Sequence, residues 1–480
     1  MRRRAFLVWL TLLFATVVAS AAPVTKYWPP DSVAQALLAC PGYHTVRVVA
    51  LIFVGNDVTK EPTLRAELDF KEGDTLTAGM LARRLEINRR RIFNLQLFHQ
   101  VLTEVVCREG DLTVLFSVQE RWYTFPVPIL SIADRNFRAW ADRSDRWRRV
   151  DYGLHLTRNN FRGRNEQLRG NLQLGFNRKY ELFYEAPGYG RRRRVGVGFG
   201  ASYYKARALD YITLQDRLVP FRPENGSPIE RHYITVGLRW RRTVRLLTAF
   251  DLSYHREQVS DSVNLLNPDY YLGRTRREYL DFSLSGILNQ RNTFAYPLTG
   301  RYAQAQVVYR HFLTAGAPPQ LLIRARYAQY IALGGPLYYS AGGQAQLKFS
   351  RRLSYADNRA LGYEATVRGY DSYVVDGRHY ALFQQGLSCR LFDAGQVRLE
   401  GIANPKVNTI PLALYLNTFT DAGYVSTPSV VPGNRLPDRL LASAGVGLHL
   451  VTYYDRVFTL EYTRTIRGQG GFFFRSEFPI

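Results

Sequence analysis

The stretch QLRGNLQLGF, residues 167–176, sets the architecture that we expect for most of this chain. Its leucines and its terminal phenylalanine fall on every second position, and Gln, Arg and Asn occupy the positions between them. A period of two puts the two sets of side chains on opposite faces of a β-strand. One face of this predicted strand is therefore apolar, and the other is polar.

The same alternation recurs along residues 122–480. It is found, for example, in GQAQLKF (343–349), SAGVGLHL (443–450) and FTLEYTR (458–464). Strands that are apolar on one face and rich in Arg, Gln, Asn or Lys on the other are typical of an outer-membrane β-barrel with a wet interior. A β-sandwich or a solenoid also alternates, so the alternation by itself leaves both open.

The connections between the strands favour the barrel. We count about 16 strand candidates, and bacterial outer-membrane barrels have an even number of strands. Short connections such as RNNFRGR (158–164) and ALGGP (332–336) alternate with long ones such as residues 208–230 and 350–378. Barrels have short turns on one rim and long loops on the other. The sequence therefore predicts a transmembrane antiparallel β-barrel of about 16 strands over residues 122–480.

Residues 45–121 have a different pattern and predict a compact α+β domain. HTVRVVALIFVG (44–55) is rich in β-branched residues and predicts a strand, and VTKEPTLRAEL (58–68) predicts a short helix. A second helix carries Leu81, Leu85, Asn88 and Ile92 at helical spacing. The stretches FHQVLTEVVC (98–107) and DLTVLFSVQE (111–120) predict a hairpin. The expected order is β-α-α-β-β.

The first residues, MRRRAFLVWLTLLFATVVASAA, predict a secretory signal peptide over residues 1–21, followed by a segment over residues 22–44. Export makes nucleic acid an unexpected partner for a chain of formal charge +24. Only seven of the 64 basic residues are Lys, and arginine suits phosphate groups, so outer-membrane lipid and lipopolysaccharide are expected partners. An arginine-favouring genome explains the same bias equally well.

The three cysteines allow at most one disulfide in an oxidising compartment. A bridge between Cys40 and Cys107 is feasible if the sheet of the first domain is mixed, and Cys389 is then left over. The eight histidines are scattered, and no Ser-His-Asp, HExxH or Cys/His arrangement occurs. We therefore expect no enzyme activity, no metal and no cofactor.

Residues 46–121 resemble a POTRA domain in FVGN and KEGDTLT at its turns, in RRIFNLQLFHQV at the end of its helix, and in VQER at its close. Four later stretches resemble barrel motifs in the matching order: LNQRNTFAYPLTGRY (288–302), VRGY (367–370), FTDAGYV (419–425) and SAGVGL (443–448). Together they resemble the BamA/TamA-type outer-membrane assembly and translocation superfamily, also called the bacterial surface antigen family. This chain looks like a single-POTRA member.

The resemblance implies that residues 350–378 form a long loop that folds into the barrel lumen, where Arg368 meets Asp421 on the inner wall. Strand parity agrees, because Asp421 shares a face with Phe419 and lies opposite Leu416. Gly369 would allow close backbone approach, and Tyr370 would supply a packing surface. The expected residues of this lumen lock are Arg368, Gly369, Tyr370, Asp421 and Gly423. A surface loop whose arginine meets water is the alternative.

The resemblance also implies a function: insertion or translocation of client proteins at the cell outer membrane, with the POTRA domain in the periplasm. Unfolded or secreted client polypeptides would add a strand to the open sheet edge of that domain. The expected client-binding residues are Val101, Thr103 and Val105, on the second of its three predicted strands. A periplasmic partner is compatible with this function. The alternatives are a passive outer-membrane pore or structural barrel, and a barrel that carries a surface enzyme or adhesin.

Overall fold

The structure, a computed structural model, describes residues 43–132, 146–189, 194–243, 246–294, 296–398, 409–428, 430–452 and 456–477. The predicted signal peptide and nearly all of the predicted segment 22–44 lie outside these residues. Within the described ranges, no helix is long and apolar enough to cross a membrane.

The N-terminal domain forms a mixed four-stranded sheet in the order β2-β1-β4-β3. Its elements are β1 (Thr45–Val54), α1 (Glu61–Arg65), β2 (Thr75–Thr77), α2 (Ala78–Phe93), β3 (Phe98–Arg108) and β4 (Asp111–Glu120). β1 runs parallel to β4, and the other pairs are antiparallel. The predicted elements occur in the predicted order, but β2 replaces part of a predicted turn. It forms because Leu76 pairs with Val46 and is buried in the core.

Helix α2 packs its predicted face against the sheet. Leu81, Leu85 and Ile92 are buried in the apolar core of the domain, and the polar Asn88 is buried beside them. The Asn88 side chain accepts a hydrogen bond from the Asp69 backbone N–H (2.9 Å) and donates one to the Asp69 carboxylate (2.8 Å). Burial favours a higher pKa for Asp69, but hydrogen bonds from Asn88 and Arg84 outweigh it and lower the pKa of this carboxyl.

One cysteine of the N-terminal domain takes part in a disulfide bond. Cys107 is disulfide-bonded, and Cys389 is free. Cys107 pairs with Leu112 across the β3–β4 hairpin, and Arg47, at the start of β1, pairs with Asp111. Cys107 therefore lies at the end of the sheet where β1 begins. Its predicted partner, Cys40, lies outside the described residues.

The second region is one 16-stranded antiparallel sheet, which confirms the predicted strand count. Its strands are β5 (Thr124–Ile132), β6 (Val150–Phe161), β7 (Glu166–Gly175), β8 (Arg178–Tyr189), β9 (Val195–Ala206), β12 (Ile229–Thr243), β13 (Leu246–Val259), β14 (Arg276–Asn289), β15 (Gly300–Phe312), β16 (Gln320–Gly334), β17 (Leu337–Phe349), β20 (His379–Arg398), β21 (Thr409–Ser426), β22 (Leu441–Thr452), β23 (Arg456–Thr465) and β24 (Gly470–Glu477). The long loops carry β10 (Leu209–Leu214), β11 (Arg217–Phe221), α3 (Asp261–Leu266), β18 (Arg359–Leu361) and β19 (Val375–Asp376).

The two faces of this sheet differ as the alternation requires. On β21, the side chains of Asn417, Phe419 and Asp421 are buried, whereas Leu416 is exposed on the opposite face. On β23, Glu461 is buried among threonines, and its neighbours on the other face are exposed. The polar face therefore lines the interior, and the apolar face points outward. We call the rim next to the N-terminal domain the near rim, and the opposite one the far rim.

The first and last strands of the sheet form a seam. In the strand order, β24 and β5 lie at the two ends, and within the described residues no ladder joins them. Each has a single neighbour in the sheet, β23 for β24 and β6 for β5. The sheet is therefore not closed by hydrogen bonds along this seam.

Strand β5 carries Pro126 and Pro128, which have no backbone N–H. Its ladder with β6 nevertheless runs without a register break through both prolines. A proline in a hydrogen-bonded pair would break the ladder, because it has no N–H to donate. Both prolines therefore occupy non-hydrogen-bonded pairs, and their nitrogens face away from β6. The edge of β5 that faces the seam therefore lacks two consecutive donors.

The N-terminal domain contacts three turns of the near rim. The backbone oxygen of Gly163, in the β6–β7 turn, accepts hydrogen bonds from the Lys60 backbone N–H (2.8 Å) and the Thr63 hydroxyl (3.1 Å). Arg241, at the end of β12, forms a bidentate ion pair with the buried Glu67. The third contact joins Asn94, just after α2, to the β14–β15 turn. These contacts hold the domain against the entrance of the lumen.

Candidate functional site

The loop of residues 350–378, between β17 and β20, lies inside the ring of strands; we call it the lumen loop. It carries much of a buried apolar cluster, which includes Val367, Tyr370 and Val375 of the loop, with Leu382 and Val425 of the wall. Tyr370, an expected lock residue, is almost fully buried there. A loop exposed at the surface would not bury these side chains.

Arg368 and Asp421 are in contact inside the lumen. The guanidinium donates two hydrogen bonds to the carboxylate, from Nε to Oδ2 (2.8 Å) and from Nη2 to Oδ1 (2.5 Å). The Arg368 backbone N–H and the Gln384 amide also donate to Oδ2, both at 3.1 Å. The Arg368 side chain is 20% exposed, and that of Asp421 is 0% exposed. The carboxylate is thus buried with four donors, and its charge depends on this arginine.

Arg368 makes two further contacts with the wall. Its guanidinium carbon lies 3.6 Å from the centroid of the Phe419 ring, within cation–π range. Its Nη1 lies 3.4 Å from Oε1 of Glu461. A planar fork is needed to meet a carboxylate, a ring face and a second carboxylate together. We call Arg368, Asp421 and these contacts the motif anchor.

The two expected glycines let the lumen loop approach the wall closely. Gly369 has φ +88°, and a Cβ at this position would lie 2.8 Å from Cγ2 of Thr463. A Cβ on Gly423 would lie 2.6 Å from Cγ2 of Val367, in the loop. Because real Cβ atoms do not approach other heavy atoms this closely, a larger residue at either position would push the loop from the wall.

Glu461 is a functional candidate that sequence reasoning missed. Its carboxylate contacts Arg368 of the lumen loop, His449 of β22 (3.2 Å) and Arg475 of β24. Arg475 also contacts Asp371, next to the VRGY motif, at 2.6 Å. Glu461 therefore connects the motif anchor to the last strand, which borders the seam. A sequence signal for it was present, because Glu461 is the carboxylate on the inward face of FTLEYTR.

The β14–β15 turn extends this network to the N-terminal domain. The Tyr296 hydroxyl lies 3.0 Å from Nδ1 of His449, the same ring whose Nε2 faces Glu461. At the other end of the turn, the Asn94 side chain donates to the Arg291 backbone oxygen at 2.9 Å. A series of contacts thus runs from α2 through LNQRNTFAYPLTGRY and His449 to Glu461.

A second group of charges, which the sequence did not predict, holds the other half of the lumen loop. The Asp357 carboxylate accepts hydrogen bonds from Arg277 (2.7 Å) and Arg310 (2.9 Å), and Ser354 and Gln320 also donate to it. Arg277 and Asp357 are both buried. We call this group the rim anchor. Two separate sets of charges therefore fix the loop inside the lumen.

The expected client-binding residues lie on β3, an outer strand of the four-stranded sheet. The side chains of Val101 and Thr103 are buried in the domain, and Val105 is half-buried against the same core. The side chains of Leu102 and Val106, on the other face, are exposed. The feature that β3 offers along its edge is therefore its backbone, not these three side chains.

We find no group of three or more His, Cys, Asp or Glu placed to hold a metal ion in the described part of the chain. The arrangement consists instead of buried ion pairs that position a loop within a barrel. What it does chemically is to bind the loop to the wall.

No curated protein sequence matches the chain. CdiB from Escherichia coli has a similar solved structure, with a TM-score of 0.51 at 13% sequence identity, over 90% of this chain and 76% of CdiB. A BamA from Haemophilus ducreyi that lacks POTRA domains 1–3 is similar with a TM-score of 0.49 at 15% identity, over 90% of this chain and 84% of BamA.

Two family models match the chain directly. The model of the surface antigen variable number repeat, or POTRA domain, matches residues 46–121. The model of the Omp85 superfamily domain matches residues 160–452, which is more than half of the 480 residues. The chain therefore belongs to the Omp85 superfamily of outer-membrane β-barrel proteins and carries a POTRA domain.

Proposed function

We propose that this protein inserts or translocates client polypeptides at the outer membrane, and that the motif anchor holds the lumen loop in the working position. The observation that carries the proposal is the contact of Glu461 with both Arg368 and Arg475. It joins the anchored loop to β24, whose outer edge is unpaired in the described residues. A loop that is fixed to a seam strand is suited to control that strand.

Three unpaired strand edges support the handling of clients. Backbone groups at an open edge form hydrogen bonds with an added strand, whatever its side chains are. The outer edge of β3 lies in the N-terminal domain, and the seam edges of β5 and β24 lie in the barrel. A client strand captured at β3 is then passed to the seam. In this proposal Val101, Thr103 and Val105 support the β3 edge from inside the domain.

A passive pore is the second candidate function, and the packing of the lumen makes it the weaker one. The lumen loop places a buried apolar cluster and two groups of ion pairs inside the barrel. The N-terminal domain rests on three turns at the near rim. A pore that conducts steadily needs a continuous wet path, and these buried groups occupy part of the lumen.

The experiment is a depletion strain complemented with the parent gene, with Arg368→Ala or with Arg352→Ala. Arg352 is a matched control because it belongs to the same loop and pairs with Asp269 at 2.7 Å, with both side chains about two-thirds exposed. Quantitative proteomics of the outer membrane and cell surface should show specific proteins lost on depletion. The parent and Arg352→Ala should restore them, and Arg368→Ala should not.

Planar-bilayer recordings of the purified full-length protein complete this test. We expect little steady conductance from the parent protein. An unchanged surface proteome on depletion, together with steady conductance, would overturn the proposal in favour of the passive pore.

A further inference from the structure

We propose that a basic notch at the far rim binds a phosphate group of outer-leaflet lipopolysaccharide. The notch lies between the tip of the β7–β8 hairpin and residues 222–227, and it encloses a cavity of about 430 Å³. Its lining residues are Arg149, Phe176, Arg178, Lys205, Arg207, Arg222, Pro223, Glu224, Asn225, Gly226 and Ser227. Its lining shares no residue with either anchor.

The charge of the notch is strongly unbalanced. Five of its lining side chains are cationic, and Glu224 is its carboxylate. Glu230 lies outside the lining but pairs with Lys205 at 3.3 Å. Arg149 and Arg222 have partners beyond the lining, and Arg222 also interacts with the Asp210 carboxylate. The positive charge that remains is that of Arg178 and Arg207, which form no ion pair in the described residues, so an anion that enters the notch gains favourable charge interactions with these two arginines.

Phe176 and Asn177 give the notch a defined shape. The guanidinium carbons of Arg149 and Arg207 lie 5.5 Å and 5.9 Å from the Phe176 ring centroid. Asn177 accepts a hydrogen bond from the Arg207 backbone N–H at 3.2 Å, and Asp151 in turn accepts two from Asn177. Arginine forks held in this way match the tetrahedral oxygens of a phosphate.

The position of the notch selects a lipid as the source of the phosphate. Arg178 pairs with Lys205 across β8 and β9, on the outward face of the barrel. Two residues nearer the middle of these strands, on the same face, Tyr180 and Tyr203 stack with their rings 5.7 Å apart. His232 of β12 continues this aromatic row.

Aromatic rows of this kind mark the interface of an outer-membrane barrel with its membrane. Two strand residues span about 7 Å, so Arg178 and Lys205 lie one step beyond the interface, at the depth of the headgroups. The far rim is the outer one, because the POTRA domain of this family faces the periplasm. The headgroups at this depth on the outer side carry the phosphates of lipopolysaccharide.

The test compares two double variants of the full-length protein in a neutral detergent. Arg178→Gln with Arg207→Gln removes two charges from the notch. Arg256→Gln with Arg276→Gln is the matched control on the outward face, at the same end of the strands. Both control arginines lie beside Glu278, and Arg276 is on the same rung of the sheet as Lys205. Binding is measured with lipopolysaccharide and with dephosphorylated lipopolysaccharide.

We expect the notch variant to bind lipopolysaccharide at least about tenfold more weakly than the parent, which corresponds to the loss of one to two charge-assisted hydrogen bonds. The control should stay within about twofold of the parent, since both of its arginines are already ion-paired with Glu278. Dephosphorylation of the lipid should weaken binding to the parent and to the control, but add little to the defect of the notch variant.

Three outcomes overturn the assignment: equal defects in both double variants, equal binding of the dephosphorylated lipid to the parent, or displacement of the lipid by millimolar inorganic phosphate. If the notch variant fails to fold, as judged by its heat-dependent gel mobility, Lys205→Gln alone is measured with the same controls. Its result then decides by the same criteria.

Discussion

The lumen loop is held by two anchors that use the same chemistry in different surroundings. In the rim anchor, Asp357 lies between Arg277 and Arg310, and these arginines also contact Glu257 (2.7 Å) and Asp281 (2.8 Å) on neighbouring strands. The charges of the rim anchor are therefore paired with one another, on strands β13 to β15 and the lumen loop. In the motif anchor, Arg368 is the sole arginine bound to Asp421 in the described residues, and its remaining contacts lead elsewhere.

The two anchors also differ in what they connect to the lumen loop. The rim anchor ends in strands β13 to β15, far along the sheet from the seam. The motif anchor continues through Glu461 to Arg475 on β24, and through His449 to the turn beneath which the N-terminal domain rests. We infer that the rim anchor serves as a static attachment, and that the motif anchor reports the position of the loop to the seam.

The largest effect is expected when the motif anchor is broken. Arg368→Ala leaves the buried Asp421 carboxylate without its cation, a change that destabilises buried pairs by about 3–5 kcal/mol. Asp421→Ala should give a similar loss of activity and of loop anchoring, and the double variant should be little worse than either, because the two residues act as one unit. Activity and protease cleavage of the lumen loop in intact cells measure this.

Arg368→Lys is the accompanying control for geometry. It keeps the positive charge but not the fork that meets Asp421 with two nitrogens, so it should rescue poorly. Fully additive defects, or a lumen loop that is already cleaved in the parent protein, would contradict the motif anchor.

A smaller effect is expected when the contact between the motif anchor and β24 is removed but the ion pair of Arg368 with Asp421 is kept. Glu461→Gln keeps the shape of the side chain but removes the charge that Arg368, His449 and Arg475 share. We expect activity to fall about tenfold, within the usual range of coupling between sites, while the lumen loop stays protected from protease by Arg368 and Asp421. Thr459→Val, at the adjacent buried position of β23, is the control.

Cleavage of the loop in Glu461→Gln would show that Glu461 acts as part of the anchor. Unchanged activity would show that the contact with β24 has no role. Either result removes the distinction between the two anchors at this residue.

The two anchors also differ in how far the sequence predicts them. Strand alternation is a local property, so the inward face of Asp421 and the number of strands followed from the sequence. The motif anchor was expected because VRGY and FTDAGYV resemble family motifs. The contacts of Asp357 with Arg277 and Arg310 join residues 47 or more positions apart, through the path of a loop, and no local period indicates them.

Tertiary pairing explains the other differences. The segment of β2 has a turn-like sequence, and it becomes a strand because β1 lies beside it. The expected client residues lie on the edge strand β3, but their side chains face the core, because alternation alone does not say which face the helices cover. Glu461 was visible as an inward carboxylate, but its three partners come from three different elements.

Breaking the rim anchor should have a local effect. Asp357→Asn keeps the shape of the side chain, and Arg277 and Arg310 retain Glu257 and Asp281. The cost should be about 1–3 kcal/mol, typical of a weakened buried hydrogen-bond network. Protease should then cut residues 350–360 while the VRGY end stays protected, and activity should stay within about twofold of the parent. A loss of activity as large as that of Arg368→Ala would mean that the anchors form one unit.

The smallest effect concerns the seam itself. Replacing Pro126 and Pro128 by Val restores two N–H donors on the seam edge of β5. Each hydrogen bond that such a donor then forms with β24 contributes about 0.5–1.5 kcal/mol, and a domain of this size or larger gains at most about 2–4 °C per kcal/mol. The temperature at which the folded gel band disappears should therefore rise by a few degrees. Val127→Thr is the control, because the amide of Val127 already faces β6.

Combining the proline variant with the other variants tests whether the seam senses one anchor and not the other. The stabilisation should be retained in Asp357→Asn, because the rim anchor has no contact with β24 in the described residues and distant sites are additive. It should shrink in Glu461→Gln, because Glu461 contacts Arg475 on β24, the strand at the other side of the seam. Equal stabilisation in both backgrounds would show that the seam is independent of the motif anchor, and that the two anchors differ in position alone.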